Sequence, residues 1–103
     1  MAPRVRPRKV IDELTPVRCA AGRGLIREEV WEDEDGTVVR YNLAFIKHFL
    51  TSKDNGRVLG YHNQHGPHHR HFKGVTELVS LDNFYSVRDR FEAEVRELRK
   101  EKI

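Results

Sequence analysis

Near the C-terminus, Phe84, Val87, Phe91, Val95 and Leu98 recur at steps of three, four, four and three residues. That spacing sets all five on one side of an α-helix, because 3.6 residues complete a turn. The other side carries Asp89, Arg90, Glu92, Glu94, Arg96, Glu97 and Lys100. A helix with a single apolar stripe must bury it against another element, and no other feature of the chain constrains the fold as much. Ser80 reads as the N-cap, with Asp82 a favourable charge in the first turn.

The residues before the helix read as strands. Residues 25–32 form the first, and the acidic run Glu32-Asp33-Glu34-Asp35 with Gly36 makes a solvated hairpin turn. Residues 37–50 form a long strand whose alternation slips at Phe45-Ile46, the mark of a bulge or bend. Lys53-Asp54-Asn55-Gly56 is a tight-turn signal, since Asn-Gly accepts positive φ. Arg57–His62 follows as a third strand, 68–72 as a fourth and 76–79 as a short fifth. Trp31, Phe45 and Phe49 read as core. The expected architecture is α+β: an antiparallel meander of four to five strands packed by the C-terminal amphipathic helix.

The first 23 residues stand apart. Residues 1–9 interleave arginine with proline and read as a flexible basic arm. Residues 10–23 are a weakly patterned lead-in broken by Pro16 and Gly22, where Val10, Ile11 and Leu14 make at most one helical turn. Residues 24–103 are then the single α+β domain, as the 103-residue length suggests. No run approaches the roughly 20 apolar residues of a membrane span. The basic start lacks the apolar stretch of a secretory signal. Cys19 is the sole cysteine, which excludes a disulfide framework. The expectation is a cytoplasmic protein with no membrane association and no cofactor.

The net charge of +3 conceals its distribution. Residues 1–9 hold four Lys/Arg and no acid, whereas residues 24–36 hold one Arg against six acids. Residues 37–74 hold six Lys/Arg against Asp54 alone, and they contain all six histidines, five of them within ten residues: His62, His65, His68, His69 and His71. Imidazole titrates near neutrality, so such a cluster invites four readings. His62, His65 and His68 can be metal ligands, although neither cysteine nor a nearby carboxylate joins them. The cluster can be a polar exposed hairpin. It can bind RNA or a protein without chemistry. Finally, it can perform acid–base catalysis on a phosphodiester. In a strand, His69 and His71 share a face with Cα atoms roughly 6.5–7 Å apart. One imidazole would take a proton from an attacking ribose hydroxyl and the other would give one to the leaving oxygen. Arg57, Arg70 and Lys73 are candidate phosphate ligands, Arg70 on the opposite face of a regular strand. Tyr61 and Asn63 are candidate substrate positioners.

From residue 24 to about residue 100 the chain resembles the TumE family, small toxin components of bacterial and archaeal toxin–antitoxin pairs. The family pattern of Gly-Tyr-Asp-Asn, a loop, then His-x-His and an aromatic residue matches Gly60, Tyr61, Asn63, His69, His71 and Phe72. The acidic position is replaced here by His62. The resemblance implies an antitoxin partner, commonly a helix-turn-helix DNA-binding protein. Together with the histidine pair and the basic block, it leads to the expectation of a small endoribonuclease using His69 and His71. The alternatives are a non-catalytic RNA- or protein-binding module and a metal-dependent nuclease. Exposed sheet edges in so small a protein also allow a homodimer.

Overall fold

The chain is described by a computed structural model over residues 6–47, 56–63 and 66–101. Strands β1 (Arg8–Cys19), β2 (Gly22–Glu32), β3 (Val38–Ile46), β4 (Arg57–His62), β5 (His69–Phe72) and β6 (Val75–Leu78) precede one helix, α1 (Phe84–Lys100). The strands pair in chain order, each neighbour antiparallel. Antiparallel neighbours need only short links, so tight turns between apolar runs close into a meander. The fold is α+β, with six strands rather than four or five.

The additional strand is β1, formed by the segment read as a weakly patterned lead-in. It is no helical turn: Ile11 pairs with Val30 and Leu14 with Arg27. Most of β1 is exposed on both faces, so it lacks the alternation that marks a half-buried strand. Pro16 is tolerated because an edge strand leaves one row of backbone groups unpaired. The tip of the β1–β2 hairpin docks on the end of α1. The Ala20 N–H donates to the Arg99 carbonyl at 2.8 Å, and Arg99 Nε donates to the Arg18 carbonyl at 2.8 Å. This satisfies one of the carbonyls that a helix C-terminus leaves open.

The acidic turn is ordered by Asp33, whose Oδ1 accepts from the Asp35 N–H at 2.9 Å and the Thr37 N–H at 3.1 Å. The bulge expected at Phe45-Ile46 is present as a register shift between those residues. Phe49, Leu50 and the turn residues Lys53, Asp54 and Asn55 lie outside the described residues. Lys73 and Gly74 join β5 to β6 with φ of 48° and 86°, as a two-residue hairpin turn requires.

The helix begins later than expected. Asn83 is the N-cap, accepting from the Ser86 N–H at 3.0 Å, and the first turn holds no acid. An asparagine amide oxygen caps as well as a serine hydroxyl, and its position leaves Ser80 and Asp82 before the helix. All five stripe residues are buried against Tyr41, Leu43 and Phe45 of β3 and Leu59 and Tyr61 of β4. Lys47 is fully buried at the far end, where its ammonium donates to the Leu98 carbonyl at 2.7 Å. Among the described residues no helix is long and apolar enough to cross a membrane.

Candidate active site on the open face of the sheet

Because α1 covers one face, alternation along each strand decides which side chains it meets. Tyr61 of β4 points to α1, where its hydroxyl donates to Glu94. Its neighbours His62 and Gly60 therefore belong to the open face. The register carries that face across the sheet as three cross-strand rows. Lys9, Trp31 and Arg40 form one. Glu29, Asn42, His62 and His69 form the next. Arg27, Ala44, Gly60, His71 and Thr76 form the third.

Three imidazoles thus share one surface. The His62 ring centroid lies 5.1 Å from that of His69 and 4.7 Å from that of His71. His62 Nε2 and His71 Nε2 are 2.6 Å apart, so one proton serves both nitrogens. Thr76 Oγ1 lies 2.9 Å from His71 Nδ1 and orients that ring from β6. His69 is anchored differently: Nδ1–H donates to the Pro67 carbonyl at 3.0 Å. A carbonyl only accepts, so the proton sits on Nδ1 and Nε2 of the neutral ring is left as the basic atom.

Arg57 reaches this surface across Gly60. A Cβ at Gly60 would lie 2.8 Å from Arg57 Cδ and 3.2 Å from Nε, so the missing side chain gives the guanidinium arm its place beside His71. Glu29, Trp31, Arg40, Asn42, Arg57, His62 and His71 border a cavity of about 390 Å³ on this face. Glu29 closes one side as a fixed anion. Lys9 hydrogen-bonded to it holds its carboxyl down at about 2, with Asn42 and Arg27 assisting against the upward push of burial. Asn42 Nδ2 donates to Glu29 Oε1 at 3.1 Å, joining this anion to the row that contains His62.

The structure therefore brings together His69, His71 and Arg57 and does not bring Arg70, Tyr61, Asn63 or Lys73 to them. Arg70 points to the helix side, as a regular strand dictates, where its guanidinium bonds Glu94 and reaches Glu77 at 3.1 Å. Burial pushes the Tyr61 hydroxyl up to about 12, and the adjacent Glu94 carboxylate adds to the effect. Glu94 itself is driven upward by burial, but the hydrogen bonds from Arg70 and Tyr61 outweigh this and hold it below the usual carboxylate range. Asn63 braces β3: its Oδ1 accepts from the Tyr41 N–H at 2.9 Å and its Nδ2 donates to the Val39 carbonyl at 3.1 Å. Lys73 sits over the Phe72 ring and 4.0 Å from Glu101. The set His62, His65 and His68 does not converge as far as it is described. His68 is on the helix side with Nδ1 2.6 Å from the Tyr41 hydroxyl, and His65 lies outside the described residues. Among the described residues no three His, Cys, Asp or Glu side chains are grouped to hold one metal ion.

Two assignments change. His62, matched to the family's acidic position and considered only as a metal ligand, is the centre of the imidazole row. Trp31, read as core, is half-buried on the open face, with the Lys9 ammonium 5.1 Å and the Arg40 guanidinium 4.7 Å from its ring centroid. The even spacing of Gly60 and His62 on β4 was the available signal, because residues two apart share a face. Comparison of the chain with family models, curated proteins and solved structures gave no match.

Proposed function

We propose that this chain is the toxin component of a toxin–antitoxin pair and acts as a small endoribonuclease. The observation that carries the reading is the row His69–His62–His71 with Arg57 beside it on the sheet face that α1 leaves open. Adjacent imidazoles with different proton placements suit a reaction that removes one proton and supplies another.

In the proposed step His69 Nε2 takes the proton of a ribose 2′-hydroxyl. The 2′-oxygen forms a bond to phosphorus as the bond from phosphorus to the 5′-oxygen breaks. The hydrogen-bonded His62–His71 pair carries one additional proton in its cationic form and passes it to the leaving 5′-oxygen. The products are a 2′,3′-cyclic phosphate and a 5′-hydroxyl. Arg57 stabilises the charge that grows on the phosphoryl oxygens. Two imidazolium N–H groups facing each other at 2.6 Å would repel, so the pair holds this one extra proton and no second.

Purified protein incubated with cellular RNA tests the proposal. Fragments ending in 2′,3′-cyclic phosphate are expected, and His71→Ala should lower the cleavage rate by about 10²–10⁴-fold while the fold persists. Equal cleavage by wild type and a His69→Ala/His71→Ala variant would remove the acid–base role. RNA bound and never cut would favour an interaction module, and cleavage abolished by chelator would favour a metal-dependent nuclease. Induction in a bacterial host should arrest growth, and a helix-turn-helix antitoxin encoded beside the toxin should relieve the arrest.

A further inference from the structure

The cavity on the open face has two ends, and the proposed chemistry uses one. The His62–His71 pair and Arg57 form that end. The other is formed by Trp31 and Arg40, with Asn42 between the two. Trp31 is the only tryptophan of the chain and is not spent on the core. Its ring carries the Arg40 guanidinium at 4.7 Å, and Arg40 is exposed. An aromatic ring extended by a guanidinium is a stacking surface for a nucleobase, and cations beside it attract the phosphates of the same strand. Glu29, the anion nearest this end, is ion-paired with Lys9 at 2.6 Å and with Arg27 at 3.3 Å, so its charge is met locally rather than set against a polyanion. About 390 Å³ is within the range of small-ligand sites, ~300–1,000 Å³.

We infer that the Trp31–Arg40 end is a nucleobase subsite: one base of single-stranded RNA stacks there while a neighbouring phosphodiester lies at Arg57 and His71. Arg40 and Asn42 are two residues apart on β3, and Asn42 pairs with His62. The platform and the histidine row are therefore separated by roughly 6.5–7 Å along the strand, a distance one nucleotide spans. Stacking accepts any base, so the subsite orders the strand without dictating its sequence. The inference rests on the reading of this face as an RNA-cleaving site, and it names how that site holds its substrate.

Because Trp31 is the sole tryptophan, its fluorescence reports on this subsite directly. The intact protein is titrated with a 2′-O-methyl hexanucleotide, which cannot be cleaved by attack of a 2′-hydroxyl. Ribose 5-phosphate serves as the base-free control, and anisotropy of a labelled hexanucleotide measures binding independently. Saturable quenching by the hexanucleotide and none by ribose 5-phosphate are expected. Arg40→Ala, at an exposed position, should weaken binding roughly 5- to 100-fold. Binding seen by anisotropy with unchanged Trp31 fluorescence would overturn the inference, as would an Arg40→Ala affinity equal to wild type. Quenching by a protein that never cuts RNA would overturn the cleavage proposal and leave the subsite standing.

Discussion

Gly60 decides where Arg57 can be. Any side chain there would compete with Arg57 Cδ, 2.8 Å from the position of a Cβ, and the arm would have to leave the surface beside His71. The atom in the way belongs to a flexible side chain, so Gly60→Ala is expected to retain the fold, with a melting temperature within a few degrees of wild type. The proposed RNA cleavage should nevertheless fall about tenfold or more, because the cation assigned to the phosphoryl oxygens is displaced. An unchanged rate in that variant would show that Arg57 is not needed at that position. Asn63 illustrates how a motif residue acquires a different task. Its amide bonds the Tyr41 N–H and the Val39 carbonyl, so Asn63→Ala is expected to lower stability by about 1–3 kcal/mol, measured by denaturant unfolding, through unpaired β3 backbone groups.

The helix and the strand that bears the histidines are joined behind the open face. Tyr61 and Arg70 both bond Glu94 of α1, and Arg90 approaches the same carboxylate at 3.5 Å. This network fixes β4 and β5 against α1, and those two strands carry the imidazole row on their other side. Its pH dependence has a definite sign. The Tyr61 hydroxyl is raised from 10.0 to about 12, so its contribution to stability is complete below pH 10. As pH climbs from 10 to 12 the unfolded chain loses this proton while the folded chain keeps it, and stability declines. Tyr61→Phe should flatten that alkaline decline in urea unfolding measured across pH 9–11, and an unaltered slope would place its origin in other groups.

Across the whole molecule, Glu29 ties three strands together, through Lys9 of β1, Arg27 of β2 and Asn42 of β3. Its carboxyl is lowered from 4.5 to about 2, so the stabilisation is present above pH 4.5 and is lost as pH falls through 2. Glu29→Gln is expected to unfold at lower denaturant at pH 7 and to lose less stability than wild type between pH 4.5 and pH 2. An identical acid profile would dissociate Glu29 from the acid response. Several features were determined along the chain. The stripe from Phe84 to Leu98, the span Arg57–His62 and the bulge at Phe45-Ile46 all follow from periodicity, because side-chain direction repeats every 3.6 or 2 residues. β1 was not legible, since a mostly exposed edge strand has no buried face to print on its sequence. Nor was the imidazole row. His62 and His71 are nine residues apart, and a one-residue change in the β4–β5 register would set them on opposite faces. The residue types able to move protons are a property of the sequence. Which of them meet is decided by register and by the side of the sheet that α1 covers, because both depend on how distant segments pack.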